Sequence, residues 1–167
     1  MAKSPEVGGG PGDAELPSPA RLWTPEQASV RTRELRERVG ELKGWAVRLR
    51  EIHAELERMK SFWGKEFEAP DHPDRALRER LVEEWNTVHG RLEKEVERLS
   101  AEGIEVKDLD AGLLDFYALV EGEIVFLCWR LGEEEVAFFH PLDGGFRSRR
   151  PLPNRPTRAS PRSHGPG

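Results

Sequence analysis

The most constraining part of this sequence is a short run of consecutive apolar residues from Ile124 to Trp129. The run is far shorter than the roughly 18 residues of a membrane-spanning helix, and β-branched and aromatic side chains dominate it. It therefore predicts a central strand that is buried on both faces. Gly132 and Glu133 stand where a two-residue turn is expected, and the aromatic stretch 136–139 predicts an antiparallel return strand.

A further strand is predicted before this run, over residues 113–119. The pair Glu121-Gly122 stands where a tight turn would join the two strands. Residues that pair across a hairpin share one face of the sheet, so this turn predicts that Phe116 lies opposite Leu127.

The turn at 132–133 sets the pairing of the return strand in the same way. Leu127 would lie opposite Phe138, which puts His140 and Cys128 on opposite faces of the sheet. Side chains on opposite faces cannot bind one metal ion or exchange a proton. The sequence therefore predicts no metal site, no catalytic residue and no cofactor, and it favours Cys128 as a small buried residue.

A long helix is predicted ahead of the sheet. Thr24, Pro25 and Gln27 form a helix start, with a threonine cap, a proline at the first helical position and a glutamine that can bond back to the cap. Apolar residues then recur every seven positions, which is typical of a coiled-coil helix of about 40 residues. These residues are Ala28, Leu35, Leu42, Leu49, Leu56 and Trp63.

A second, shorter helix follows a connection that contains Pro70 and Pro73. Its apolar stripe consists of Leu77, Leu81, Trp85, Val88, Leu92, Val96 and Leu99. Gly103 suits the left-handed residue that often follows a helix. A short connection between two helices predicts an antiparallel hairpin.

These patterns predict an α+β fold, in which a long antiparallel helical hairpin is followed by a small antiparallel sheet of three to four strands. The edge strand is predicted over 104–107. A lone hairpin of this length cannot bury all its large apolar side chains, namely Leu35, Leu42, Trp45, Leu49 and Trp85. The sequence therefore favours a homodimer in which two hairpins form a four-helix bundle, as an interaction module that can also bind a protein partner.

Composition limits the predicted folded domain to residues 23–147. Residues 1–22 are rich in Gly, Pro, Ala and Ser, and residues 148–167 are rich in Arg, Pro, Ser and Gly, so both are predicted to be disordered. No membrane span or signal-peptide pattern is present, so a cytoplasmic protein without membrane partners is expected. The single cysteine is consistent with a reducing compartment.

The charge of the chain is unevenly distributed. The net charge is −5, but six arginines and no acid follow Phe146, so the rest of the chain carries −11. An acidic folded part argues against nucleic-acid binding, except through the arginine-rich tail.

A set of polar residues supports an alternative function, the binding of a small ligand. It lies at the predicted strand ends and on the mixed face of the sheet, and consists of Lys107, Asp108, Asp115, Arg130, His140, Asp143 and Arg147. Around Asp115, Arg130 and His140, an enzyme or sensor could hold a small anion with its basic groups and move protons with Asp or His. The competing interpretation is a set of strand-end ion pairs worth ~0–1 kcal/mol each. These residues do not decide whether the chain is an enzyme.

Several motifs in the C-terminal half resemble a known family. They are 103–108, 112–116, 127–133, Phe139-His140, and Gly145-Phe146 with Arg149. Over Trp23 to Pro151 the chain resembles the bacterial family catalogued as domain of unknown function 2203. The resemblance implies a bacterial, cytoplasmic setting and no particular activity. Phe139 departs from the family pattern, in which a Trp or Tyr is expected there.

Overall fold

The computed structural model describes residues 21–153. Two helices come first, α1 (Pro25–Trp63) and α2 (Arg75–Ala101), with a 3₁₀ turn (Gly64–Glu68) between them. The strands that follow are β1 (Ile104–Asp108), β2 (Leu113–Val120), β3 (Glu123–Arg130), β4 (Phe138–Pro141) and β5 (Arg150–Pro151). A second 3₁₀ turn (Phe146–Ser148) precedes β5.

The strands form one antiparallel sheet in the order β1-β2-β3-β4-β5. The predicted α+β fold is confirmed, with five strands instead of the three to four expected. The additional strand, β5, is two residues long and contains a proline, so it carries no alternation of apolar and polar residues that could have predicted it.

The start of α1 follows from three residues. The Gln27 backbone N–H donates to Thr24 Oγ1, and the Thr24 backbone N–H donates to Gln27 Oε1, both at 3.2 Å. These bonds satisfy backbone groups that the first turn of a helix leaves without partners, and Pro25 needs none. The predicted cap is confirmed, and the helix runs for 39 residues.

The main core lies between one face of the sheet and the part of the hairpin nearest to it. From the helical side it contains Trp23, Ala28, Leu35, Val39, Leu42 and Leu99, and from the sheet Ile104, Leu114, Phe116, Leu127 and Trp129. Leu35 and Leu42 are therefore buried within a single chain, against the expectation that a second chain is needed to cover them.

The β2–β3 hairpin has the predicted register. Val120 pairs with Glu123, so Glu121 and Gly122 form the two-residue turn, and Phe116 lies opposite Leu127. Both turn residues have positive φ, 51° and 84°, as the tight turns of twisted hairpins require.

The β3–β4 register differs from the prediction by one residue. Leu127 lies opposite Phe139 instead of Phe138, and Cys128 lies opposite Phe138. Because side chains alternate between faces, this shift moves every side chain of β4 to the other face. The prediction that Cys128 and His140 lie on opposite faces is therefore wrong.

The cause is a connection that is longer than two residues and is bound to α1. The Val136 backbone N–H donates to the buried Ser29 Oγ at 3.1 Å. The Arg36 guanidinium donates to the carbonyls of Glu133 and Glu134 at 2.9 and 3.0 Å. These contacts with a distant helix hold residues 131–137 as a loop and delay the start of β4.

The fold extends beyond the expected boundary at Arg147. Leu152 is buried in the main core, and its backbone N–H donates to the Ala137 carbonyl at 2.9 Å. Most of the two predicted disordered ends, residues 1–20 and 154–167, lies outside the described residues. Within residues 21–153, no helix is long and apolar enough to cross a membrane.

Candidate functional site on the outer face of the sheet

The face of the sheet that points away from the helices, here called the outer face, carries a buried polar cluster. Asp115 on β2, Cys128 on β3 and His140 on β4 are 1%, 0% and 1% exposed. Asp115 and Cys128 are directly paired across β2 and β3, and His140 pairs with Phe126, two residues before Cys128. Three neighbouring strands thus each contribute one chemically active side chain to the same place.

Asp115 and His140 are joined by a hydrogen bond. His140 Nε2 lies 2.9 Å from Asp115 Oδ2, and His140 Nδ1 lies 2.8 Å from the Pro141 carbonyl. A carbonyl can only accept a hydrogen bond, so Nδ1 carries a proton. Nε2 is the ring nitrogen that faces Asp115. It carries a lone pair when the imidazole is neutral and a second proton when the imidazole is charged.

Asp115 is only partly satisfied by its partners. Its Oδ2 is bonded to His140, whereas its Oδ1 is buried and has no hydrogen-bond partner among the described residues. Burial raises the pKa of Asp115, and this effect exceeds the lowering by His140, Lys107 and the Cys128 thiol. A buried carboxylate oxygen without a partner costs free energy, so this atom calls for an explanation.

Cys128 completes the cluster. The ligand atoms of Asp115, Cys128 and His140 all lie within 4.8 Å of one another. Burial, followed by the nearby Asp115 charge, raises the pKa of Cys128 to about 12. The thiol is therefore protonated at neutral pH, unlike a catalytic cysteine, whose pKa is lowered by its surroundings.

One side of the cluster is bordered by residues of β1 and β2. Glu105, which pairs with Asp115 across the two strands, accepts hydrogen bonds from Lys107 and from the Tyr117 hydroxyl. Burial disfavours the charged form of Glu105, but these two bonds outweigh it and lower the Glu105 pKa. The Lys107 ammonium also lies 4.4 Å from the centre of the Phe126 ring.

The other side is bordered by Arg149. Its guanidinium lies 4.2 Å from the ring centre of Phe138 and 4.1 Å from that of Phe146. Its Nη1 is 2.7 Å from Glu133 Oε1, and both side chains are less than one-fifth exposed. The chain after β4 is thus folded back over the outer face.

The seven residues of the predicted site do not form one cluster. Asp115 and His140 are in contact, and Lys107 borders them. Arg130 is exposed, with its guanidinium 5.4 Å from the Phe146 ring centre. The other three residues are exposed, namely Asp108, Asp143 and Arg147. Asp108 accepts a turn hydrogen bond from the Ala111 N–H.

Four contributors were not among the predicted site residues. The wrong register excluded Cys128, and the predicted site did not include Glu105, Tyr117 or Arg149. The pairing of β1 with β2 would have identified Glu105, because it faces Asp115. Arg149 belonged to a family motif with Gly145 and Phe146, but it was assigned to the arginine-rich tail.

The arrangement limits the chemistry of the cluster. A protonated, sealed thiol argues against nucleophilic catalysis, and three nearly unexposed side chains argue against a large substrate at this point. A carboxylate, a thiol and an imidazole are, however, among the donors that bind divalent transition metals.

Comparison with known proteins gives one match. A protein-family model with the description Uncharacterized conserved protein (DUF2203) matches residues 21–152. No curated protein and no solved structure matches the chain. The matched range includes both helices, all five strands and the whole outer-face cluster.

Proposed function

The chain belongs to the DUF2203 family, and on this premise we propose that it is a self-associating interaction module whose partner is a second copy of the same chain. The proposal rests on the part of the helical hairpin that extends beyond the sheet. This part is here called the distal hairpin and is defined as residues 47–92. In this part of the chain the two helices have an apolar surface that the sheet does not cover.

The main core ends well before the helices do. Its last buried residue on α1 is Leu42, with Trp45 packed against it, and on α2 the half-buried Leu92 is the farthest from Leu99. Beyond these residues the helices bury Ile52 and Met59 on α1, outside the main core. At 1.5 Å per residue, α1 continues for about 27 Å past Trp45.

The distal part of α2 has a half-buried apolar stripe. It consists of Leu77, Leu81, Trp85 and Val88, which belong to the apolar stripe predicted from the sequence. Val82 and Val47 are 43% and 44% exposed, and Phe62 is 78% exposed. Leu99 is the only residue of α2 that is fully buried. Two helices alone leave such a stripe open, and a second helical pair would cover it.

The charges of the distal hairpin favour a second copy as the partner. Residues 47–92 contain nine basic and ten acidic side chains, although the whole chain has a net charge of −5. Two copies can therefore approach through this segment with little net repulsion. The Arg48–Glu84 pair between the helices, at 2.6 Å, shows that both signs occur along one hairpin.

Sedimentation velocity of the full chain, measured up to tens of micromolar, tests this proposal. We expect a monomer–dimer equilibrium that Val82→Glu shifts towards monomer, because the substitution puts a charge beside the apolar stripe. Leu119→Glu is the matched control, since Leu119 is 57% exposed and lies on β2, outside the distal hairpin. A monomeric wild-type chain would overturn the proposal, and so would equal effects of the two substitutions.

The alternative function, binding of a small anion around Asp115, Arg130 and His140, is less well supported by the geometry. Arg130 is exposed, and its guanidinium lies beside the Phe146 ring. The two cations that border the cluster, Lys107 and Arg149, already have acidic partners. An anion at the centre would also face the Asp115 carboxyl group. The donors of the cluster are suited to a cation.

A further inference from the structure

We propose that Asp115, Cys128 and His140 bind one divalent transition-metal ion of the zinc class at the centre of the outer face. The three side chains come from three adjacent strands, are almost completely buried, and hold their donor atoms within 4.8 Å of one another. The site lies within one chain and does not depend on self-association.

The donor types select the kind of ion. Zinc binds thiolate, imidazole and carboxylate ligands, whereas calcium and magnesium prefer oxygen ligands alone. Three protein ligands leave the fourth position of a tetrahedral zinc ion to a water molecule or a small ligand.

The distances require only a small adjustment. In a tetrahedral zinc site, bonds of about 2.0 Å to nitrogen or oxygen and about 2.3 Å to sulfur place the donor atoms roughly 3.3–3.6 Å apart. His140 Nε2 and Asp115 Oδ2 are 2.9 Å apart, so an ion entering between them would separate them by a few tenths of an ångström. The largest separation in the cluster, at most 4.8 Å, would shorten by up to roughly 1.2–1.5 Å.

Two further contacts prepare the ligands. Metal-binding histidines usually donate their second ring N–H to a carbonyl or carboxylate, which orients the ring and fixes its tautomer. His140 Nδ1 makes this contact with the Pro141 carbonyl at 2.8 Å, and Nε2 is thereby directed at the cluster. Asp115 Oδ1 is buried without a geometrically formed hydrogen bond among residues 21–153, and the carboxyl group's neighbour on β3 is the Cys128 thiol, whose proton a bound ion would replace.

The surrounding charges permit a cation. Lys107 is paired with Glu105, and Arg149 is paired with Glu133. The Arg149 guanidinium also contacts the Cys128 thiol, and an ion on the sulfur would leave this guanidinium bonded to Glu133. On binding, the ion would displace the thiol proton of Cys128, and the thiolate and the Asp115 carboxylate would together neutralise its two positive charges.

The experiment uses the full chain, stripped with a chelator and then titrated with Co²⁺ or Zn²⁺. Because Cys128 is the only cysteine, a cobalt–thiolate charge-transfer band can arise from this site alone. We expect one retained ion per chain, the cobalt band, and a melting temperature that rises with free Zn²⁺ by mass action. Absence of a retained ion, or retention without the sulfur band, would overturn the proposal.

Matched variants separate this site from adventitious binding. Cys128→Ala is expected to remove the cobalt band and to weaken Zn²⁺ binding by at least about tenfold, while His53→Gln, at an exposed histidine of α1, leaves both unchanged. Asp115→Asn provides a second test, because it retains the shape of the side chain and can donate to His140 Nε2. Zn²⁺ affinity that is equal in wild type and in either ligand variant would refute the assignment.

Discussion

At the residue scale, Asp115 and His140 form a buried ionisable pair within the sheet. Removing an ionisable group from water costs several kcal/mol, and a buried pair recovers this only if its hydrogen bonds are complete. Here His140 is satisfied at both nitrogens, but Asp115 lacks a partner for Oδ1. Since apolar residues in place of a buried pair are often neutral or stabilising, the pair is better explained by a binding role than by stability.

Gly103 is the residue whose backbone conformation is most restricted by its surroundings. It has φ +76°, and a Cβ atom there would lie 2.5 Å from the Arg21 carbonyl oxygen. The Gly103 carbonyl also accepts a hydrogen bond from the Tyr117 N–H at 3.1 Å. A glycine is needed at this position for its left-handed conformation and for the close approach of the chain that precedes α1.

We predict that Gly103→Ala destabilises the chain more than Gly122→Ala does. Both glycines have positive φ, which costs an alanine roughly 1–2 kcal/mol, but a Cβ at Gly122 meets no atom within 4 Å. The clash with Arg21 should add about 1–3 kcal/mol at Gly103. Urea denaturation of both variants measures the difference, and equal losses would contradict this interpretation of Gly103.

At the element scale, the loop at 131–137 determines which side chains meet on the outer face. It is attached to α1 through Ser29 and Arg36, and its Val136 is fully buried. The Trp129 indole N–H also donates to the Glu133 carbonyl at 3.0 Å. The helix thus fixes the register of β4, and through it the position of His140.

We predict that Ser29→Ala lowers the free energy of unfolding by about 1–3 kcal/mol, because it removes a buried hydrogen-bond acceptor for the Val136 N–H. Ser61→Ala is the control, since Ser61 is an exposed residue of the same helix. There the change should be neutral or slightly stabilising, as alanine favours the helix. Thermal and urea unfolding of both variants measure the two changes in the free energy of unfolding. A loss of stability in Ser61→Ala as large as in Ser29→Ala would show that the Ser29 hydrogen bond contributes little.

The difference between the two hairpins shows what the sequence could predict. The β2–β3 turn was predictable because Glu121-Gly122 is a local turn signal and lies directly between two apolar segments that pair as strands. The β3–β4 connection was not, because Gly132-Glu133 resembles a tight turn but the loop is held by residues about a hundred positions earlier. The position of His140 depended on this second register, so Asp115 and His140 were identified while the relation of His140 to Cys128 was wrong.

At the scale of the whole molecule, the chain has two parts with different degrees of burial. The sheet and the adjoining part of the hairpin share the main core, whereas the distal hairpin is stabilised by contacts between its own helices. Parts of a protein with few buried contacts open more readily than its core.

We predict that hydrogen exchange is faster in the distal hairpin than in β2 and β3 when the chain is dilute. Raising the concentration should slow exchange at residues 75–88 and leave the central strands unchanged, because self-association would cover only the distal apolar stripe. Exchange mass spectrometry at two concentrations measures both effects. Uniform protection at low concentration, or concentration dependence in the strands, would contradict this division.

The order of the core residues along the chain has a consequence for synthesis. Leu35, Val39 and Leu42 are made early, but the strands that bury them, up to Trp129, are made much later. At about 5–20 residues per second, the ribosome needs several seconds to supply these strands. During that interval the nascent α1 carries an uncovered apolar face, which is the kind of surface that makes a newborn chain prone to aggregation.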